Sequence, residues 1–222
     1  MTSNPHLRGD LLPHGVRDLG QAPLVVYAVH GRGQQPGFMA EVANRIARPE
    51  TAYLLPSADG SSWYPESFLK PHEDNEPLLG HALDAVDTHL SRISDQGVPA
   101  ERTVLMGFSQ GACLLAEYLL RTGRRFAGAA LLTGGYLGPE EKSWSAGGKS
   151  FDGMPVLLAT SAGDEFVPLA RVHATTESFV ELGASVRLHV DDDPEHHVND
   201  DVIDHTRKLF DTITKGDNPW PT

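Results

Sequence analysis

"TVLMGFSQGACLLAEYLL" spans residues 103–120 and changes at its centre from an apolar run typical of a buried strand to a pattern typical of a helix. The change falls at Gly-Phe-Ser-Gln-Gly, residues 107–111, which fits the pattern G-x-S-x-G. At such a strand-to-helix turn the small residues let the two elements approach closely, and the serine hydroxyl lies exposed near the positive end of the helix dipole. This context favours Ser109 as a nucleophile over the alternative that it only caps the helix.

Five further apolar runs have the same character as residues 103–108, and several are apolar on both faces, as buried parallel strands are. They lie at 24–29, 52–56, 128–133, 155–160 and 185–190. Helical patterns alternate with them, at about 38–47, 78–95, 109–122, 168–182 and 199–214. The alternation predicts one α/β domain over residues 1–222, with a mostly parallel central sheet flanked by helices and functional groups at the carboxyl ends of the strands.

The two ends of the chain lack this periodicity. Residues 1–22 are expected to form an irregular arm or an edge hairpin, and residues 215–222 a loose tail. The first residues show no secretory signal, and no apolar run approaches the roughly 20 residues that span a bilayer. We therefore expect a soluble, cytoplasmic protein.

The charge balance restricts the kind of partner. The formal net charge is −12, which argues against binding to nucleic acid or to an anionic membrane surface, since both need a basic face. A small-molecule substrate is the expected partner, and the sequence leaves monomer and homodimer open. Cys113 is the only cysteine, so no intramolecular disulfide can form, and its helical setting predicts a packing role.

A serine nucleophile needs a base and an orienting carboxylate, which in this strand-helix arrangement follow it in the order acid, then histidine. Asp164 comes directly after the apolar run at 155–160, at the carboxyl end of a predicted strand; Asp152 and the aspartates at 191–193 are poorer candidates. His196 and His197 follow the run at 185–190, and spacing alone does not choose between them. These residues match no recognised metal-ligand spacing, so we expect neither a metal nor a cofactor.

The remaining requirement is a pair of backbone donors for the oxyanion. His-Gly-Arg-Gly, residues 30–33, directly follows the run at 24–29 and is suited to a sharp turn. The predicted donors are the backbone amides of Arg32 and Gln110. His30 precedes the serine in the chain, and we expect it to order this loop through its ring nitrogens.

Four fragments, "HGRG", "GFSQGA", "AGDEFVP" and "HHVNDDVI", carry a resemblance that covers about residues 23–214. The chain resembles the α/β-hydrolase superfamily, and within it the phospholipase/carboxylesterase group that includes the acyl-protein thioesterases. The resemblance implies Ser109 as nucleophile, Asp164 as acid and the histidine of a Gly-His pair as base. Only about 20 residues separate the runs at 128–133 and 155–160, too few for a separate cap domain, so we expect a relatively open site.

The sequence departs from this group at two points. It reads "EHHV" where the Gly-His pair is expected, and the positions of Val198 and Asn199 favour His196 as the base, with His197 as the alternative. Arg32 stands where related thioesterases often have leucine, which keeps the amide but brings a cation near the mouth of the site.

These observations predict a serine carboxylesterase that hydrolyses small soluble esters through an acyl-enzyme. One alternative is a thioesterase or a hydrolase of acyl intermediates in biosynthesis, and another is a non-catalytic protein that only binds a small ligand. Trp63, Tyr64 and Phe68 lie in a long connection after the run at 52–56. They are expected to line a substrate pocket, although packing of the loop against the body explains them equally well.

Overall fold

A seven-stranded sheet forms the centre of the computed structural model, which describes residues 4–144, 148 and 150–216. The strands are β1 (Leu12–Gly15), β2 (Val25–Val29), β3 (Ala52–Leu55), β4 (Thr103–Phe108), β5 (Gly128–Leu132), β6 (Pro155–Ser161) and β7 (Ser185–Asp191). The helices are α1 (Pro36–Ile46), α2 (His72–Asn75), α3 (Leu78–Asp95), α4 (Gln110–Thr122), α5 (Leu169–Glu181) and α6 (Asp200–Lys215). All six predicted apolar runs correspond to strands, and each predicted helical pattern overlaps one of the long helices to within two residues at either end.

The strand order is β1-β3-β2-β4-β5-β6-β7, and every neighbouring pair is parallel except β1 with β3. The predicted fold class, a mostly parallel sheet flanked by helices, is therefore confirmed. The N-terminal segment contributes an edge strand, because residues 12–15 pair antiparallel with β3 and Leu12 lies opposite Leu55. Of the predicted tail, residues 217–222 lie outside the described residues.

Alternate residues of each central strand face two separate layers of the core. Tyr27 packs in a cluster with the buried faces of α3, α4 and α5, whereas its neighbour Val26 packs in a second cluster with α1 and α6. All five residues of β2 are buried, as expected of a strand covered on both faces. The result is a sheet between two helical layers. No helix in the described part of the chain has the length and hydropathy to cross a membrane.

The parallel arrangement brings the carboxyl ends of β2, β4, β6 and β7 to one edge of the sheet. The loop after β2 begins at His30, β4 leads into Ser109, and the loops after β6 and β7 contain Asp164 and His196. Segments far apart in sequence therefore meet because adjacent parallel strands end together.

Candidate active site

Ser109 occupies a sharp turn between β4 and α4. Its backbone angles are φ 53° and ψ −119°, an unfavourable conformation for a residue with a Cβ. Such strain costs about 1–3 kcal/mol and persists where the surrounding structure imposes it. Here the Ser109 N–H donates to the carbonyl oxygen of Leu132, 2.9 Å away. The side chain makes no capping hydrogen bond with α4, so the cap interpretation does not account for this serine.

Gly107 and Gly111 make this turn sterically feasible. A Cβ on Gly111 would lie 2.3 Å from the carbonyl oxygen of Val29, and a Cβ on Gly107 would lie 2.7 Å from the amide nitrogen of Ala112. Neither position has room for a methyl group, since both distances are far below van der Waals contact. The two glycines of the G-x-S-x-G pattern thus let α4 pack directly against β2 and β4.

His196 lies between Ser109 and Asp164. Its Nε2 atom is 2.8 Å from Oγ of Ser109, and its Nδ1 atom is 2.6 Å from Oδ2 of Asp164. An ionised carboxylate can only accept, so Nδ1–H donates to Asp164 and Nε2 is left to accept from the serine hydroxyl. The three side chains form one continuous chain of hydrogen bonds.

The Asp164 carboxylate is held in a fixed orientation. Its Oδ1 atom accepts hydrogen bonds from the backbone N–H groups of Phe166 and Val167, both at 2.8 Å, and its side chain is 1 % exposed. The rings of Phe108 and Phe166 lie 5.1 and 5.0 Å from the His196 ring and restrict its rotation. Both partners of the serine are thus preorganised by contacts of their own.

The loop before α6 determines which of the two histidines faces the serine. Asn199 caps α6, with Oδ1 accepting from the Val202 N–H at 2.9 Å, as its position predicts, and Arg45 donates to the Val198 carbonyl oxygen. His197 points away from the site, and its Nε2 lies 2.6 Å from Oδ2 of Asp193 on an exposed surface. Glu195, beside His196, is likewise exposed.

The loop after β2 lies directly beside the serine, because a Cβ on Gly31 would be 3.2 Å from Cβ of Ser109. His30 orders this loop: Nδ1–H donates to the Gly31 carbonyl oxygen at 2.8 Å, and Nε2 accepts from the Ala58 N–H at 3.1 Å. Burial lowers the pKa of His30, which favours this neutral form. Among the described residues, nothing accepts a hydrogen bond from the backbone N–H of Arg32 or of Gln110, the two predicted oxyanion donors.

The Gln110 side chain has a role that its sequence context did not indicate. Oε1 accepts from the backbone N–H of Trp63 at 2.9 Å, and Nε2 donates to the carbonyl oxygen of Tyr64 at 2.8 Å. The residue after the serine therefore fastens the long connection after β3 to the turn. An amide side chain suits this position, since it offers one acceptor and one donor together.

A cavity of about 460 Å³ opens onto Ser109 and His196. Two of the three predicted substrate-binding residues, Tyr64 and Phe68, line it. Trp63 does not, and this is a correction: its ring is completely buried against His30, and Nε1–H donates to the His30 carbonyl oxygen at 2.9 Å. Trp63 supports the loop after β2 instead of contacting the cavity.

Phe166, Val167 and Cys113 also line the cavity and were not predicted to do so. Cys113 lies in the first turn of α4, and its backbone N–H donates to the Ser109 carbonyl oxygen at 2.9 Å, which brings the two residues to the same end of the helix. Burial raises the pKa of its thiol to about 12, so Cys113 contributes an apolar surface and not a second nucleophile. Phe166 is two residues from Asp164 and remains 66 % exposed at the rim.

The acidic residues near the histidines have local structural partners. Asp191 accepts from the Asn199 side chain at 2.8 Å, and Asp193 pairs with His197. Within the described ranges, no three His, Cys, Asp or Glu side chains are grouped so that they could hold a metal ion.

The Phospholipase/Carboxylesterase family model matches residues 18–213. The crystal structure of a phospholipase/carboxylesterase from Dyadobacter fermentans is similar, with 32% sequence identity and a TM-score of 0.84. The match covers 92% of this chain and 95% of that one. Esterase YpfH from Escherichia coli is 24% identical over 210 residues, 86% of this chain and 87% of its own. The Bacillus cereus carboxylesterase shares the fold, with a TM-score of 0.71 at 16% identity over 91% of this chain and 93% of its own.

Proposed function

Because the chain belongs to the phospholipase/carboxylesterase family and is a hydrolase with the α/β-hydrolase fold, we propose that it hydrolyses small, soluble carboxylic esters with Ser109 as the nucleophile. In this proposal His196 is the general base and Asp164 orients it. The family relationship supports esterase activity, and the residue roles rest on the geometry of this chain.

The observation that carries the proposal is the continuous hydrogen-bond chain from Ser109 through His196 to Asp164, at 2.8 and 2.6 Å. A serine hydroxyl is a weak nucleophile unless a base accepts its proton as it attacks. Neutral imidazole is suited to this step, because its usual pKa near 6.5 lets it accept and return a proton at neutral pH.

The reaction proceeds through an acyl-enzyme. His196 Nε2 takes the proton from Ser109 as Oγ attacks the ester carbonyl carbon, and the carbonyl oxygen becomes an oxyanion that accepts from the amides of Arg32 and Gln110. His196 then protonates the leaving alcohol as the ester C–O bond breaks. Water repeats the sequence on the acyl-enzyme, which releases the carboxylic acid and restores Ser109.

The cavity supports a substrate of modest size. A volume of about 460 Å³ lies at the lower end of the range for small-molecule sites, and the walls that Tyr64 and Phe68 provide are apolar. A short acyl group fits such a space better than two long lipid chains do. We therefore propose small soluble esters as the preferred substrates, as we expected from the sequence.

The proposal is tested by comparing the wild-type protein with Ser109→Ala on p-nitrophenyl acetate, butyrate and decanoate. We expect turnover of the two short esters, weak turnover of decanoate, and a loss of at least about a thousandfold in kcat/KM for the variant. A matched acetyl thioester then distinguishes the thioesterase alternative by its relative kcat/KM. A folded Ser109→Ala variant with wild-type turnover would refute the assignment.

A further inference from the structure

Arg32 places a positive charge on the cavity that Ser109 also lines. Its guanidinium donates to the backbone carbonyl oxygens of Pro65 and Glu66, which are neutral acceptors. Arg8 and Arg124, by contrast, form ion pairs with aspartate carboxylates. In the described part of the chain, Arg32 has no ion-pair partner, so its charge is available to an incoming anion.

The guanidinium is held at the wall of the cavity. Arg32 and Tyr64 both line the cavity, and the guanidinium carbon lies 5.9 Å from the centre of the Tyr64 ring. The two carbonyl oxygens fix the group while using only part of its five N–H donors. An ordered cation with spare donors suits a carboxylate, because less side-chain freedom is lost when the ligand binds.

The proton transfers of the reaction assign the leaving group and the acyl group to different sides of the cavity. His196 must protonate the leaving oxygen, so the leaving group extends past His196 towards Phe166, whose ring lies 5.0 Å from the imidazole. The rings that contact the imidazole are those of Phe108 and Phe166. We therefore assign the acyl chain to the other aromatic residues that line the cavity, Tyr64 and Phe68. Arg32 belongs to this acyl wall, because its guanidinium carbon lies 5.9 Å from the centre of the Tyr64 ring.

We propose that the preferred substrates carry a carboxylate at the far end of the acyl group, as monoesters of short dicarboxylic acids do. This inference rests on the proposed esterase function and deepens it. The acyl methylenes contact Tyr64 and Phe68, and the terminal carboxylate accepts hydrogen bonds from Arg32. The net charge of −12 disfavours anions at long range, so a specific local cation is needed to select them.

The test uses two esters that differ in this charge and in one methyl group, p-nitrophenyl hydrogen adipate and p-nitrophenyl methyl adipate, and it follows release of p-nitrophenol. The readout is the ratio of their kcat/KM values after subtraction of the spontaneous rates. We expect the wild-type protein to prefer the anionic ester by about ten- to a hundredfold, the range that a hydrogen bond to a charged group provides. The ratio is used because disturbance of the loop after β2 would lower both rates together.

Arg32→Gln removes the charge and keeps the backbone amide, and we expect its ratio to fall close to one. Arg32→Lys keeps the charge without the planar fork and should give an intermediate ratio. Arg92→Gln, an exposed position on α3, is the matched control for net charge and should retain the wild-type ratio. A wild-type ratio near one, or an unchanged ratio in Arg32→Gln, overturns this inference while hydrolysis of the neutral ester leaves the esterase function intact. If the wild-type protein hydrolyses neither ester, both proposals fail.

Discussion

The imidazole of His196 lies with its Nε2 atom 2.8 Å from Oγ of Ser109. Its neighbour His197 forms a hydrogen bond with Asp193 on the protein surface instead. The two adjacent histidines therefore have different environments, and a paired substitution separates their roles.

His196→Ala should lower kcat/KM for a short aryl ester by at least about a thousandfold, because Ser109 loses its proton acceptor. His197→Ala should change it by less than about threefold, because only a hydrogen bond on the exposed surface is lost. Steady-state kinetics on both variants, with thermal unfolding to confirm the fold, provide the comparison. A larger loss in His197→Ala than in His196→Ala would show that His197, and not His196, is the base.

Trp63 and Phe68 should respond differently to substitution. Trp63→Phe removes the indole donor to the His30 carbonyl oxygen, and leaving that buried acceptor unpaired should cost about 1–3 kcal/mol of unfolding free energy. Phe68→Ala should instead enlarge the cavity and shift the preferred acyl chain to a longer one. Urea unfolding and a chain-length series measure the two effects. If Trp63→Phe shifted the chain-length profile as much as Phe68→Ala does, Trp63 would belong to the substrate site after all.

Gly111→Ala tests the close approach between α4 and β2. The added methyl group would lie 2.3 Å from the Val29 carbonyl oxygen, so the backbone must move, and we expect a loss of about 1–3 kcal/mol in unfolding free energy together with lower activity. Gly37→Ala on α1 is the control, since its Cβ would meet no atom within 4 Å. That variant should gain about 0.5–1 kcal/mol from helix propensity. Equal stabilities for the two variants would contradict the steric argument.

His89 should contribute to destabilisation in acid. Burial lowers its pKa from 6.5 to about 4, so the unfolded chain binds a proton between these values and the native state does not. The contribution of His89 to the free energy of unfolding is therefore fully present above pH 6.5 and is lost as the pH falls towards 4. His89→Gln should reduce the loss of unfolding free energy between pH 7.5 and 4.5 by about 2–3 kcal/mol. Urea unfolding at both pH values checks this, and the exposed control His173→Gln should keep the wild-type difference.

Much of the fold could be predicted from the sequence because six apolar runs alternate with helical patterns, and several of these runs are apolar on both faces. For residues 1–22 the sequence left an irregular arm and an edge hairpin open. The strand β1 could not be located within them, since Leu12–Gly15 is short, contains a proline and becomes a strand only by pairing with β3. Its antiparallel register depends on a partner that lies about 40 residues away.

The candidate site was predictable where a side chain lies at the end of a strand, as for Ser109 and Asp164. The site was not predictable where neighbouring loop residues point in opposite directions. The side chains of His196 and His197 take different directions because Arg45 and Asn199 fix the loop before α6. Those of Trp63 and Tyr64 do so because the Gln110 side chain bonds the backbone of both residues. Such contacts join distant segments, so no local pattern contains them.

The most direct test of Ser109 as an activated nucleophile is labelling of the folded protein by a fluorophosphonate, followed by peptide mass spectrometry. The proposed function predicts one covalent adduct, on Ser109, that is absent from Ser109→Ala and forms at least about a hundredfold more slowly in His196→Ala. Folded wild-type protein that stays unlabelled, or that carries the adduct on another serine, would contradict the central claim.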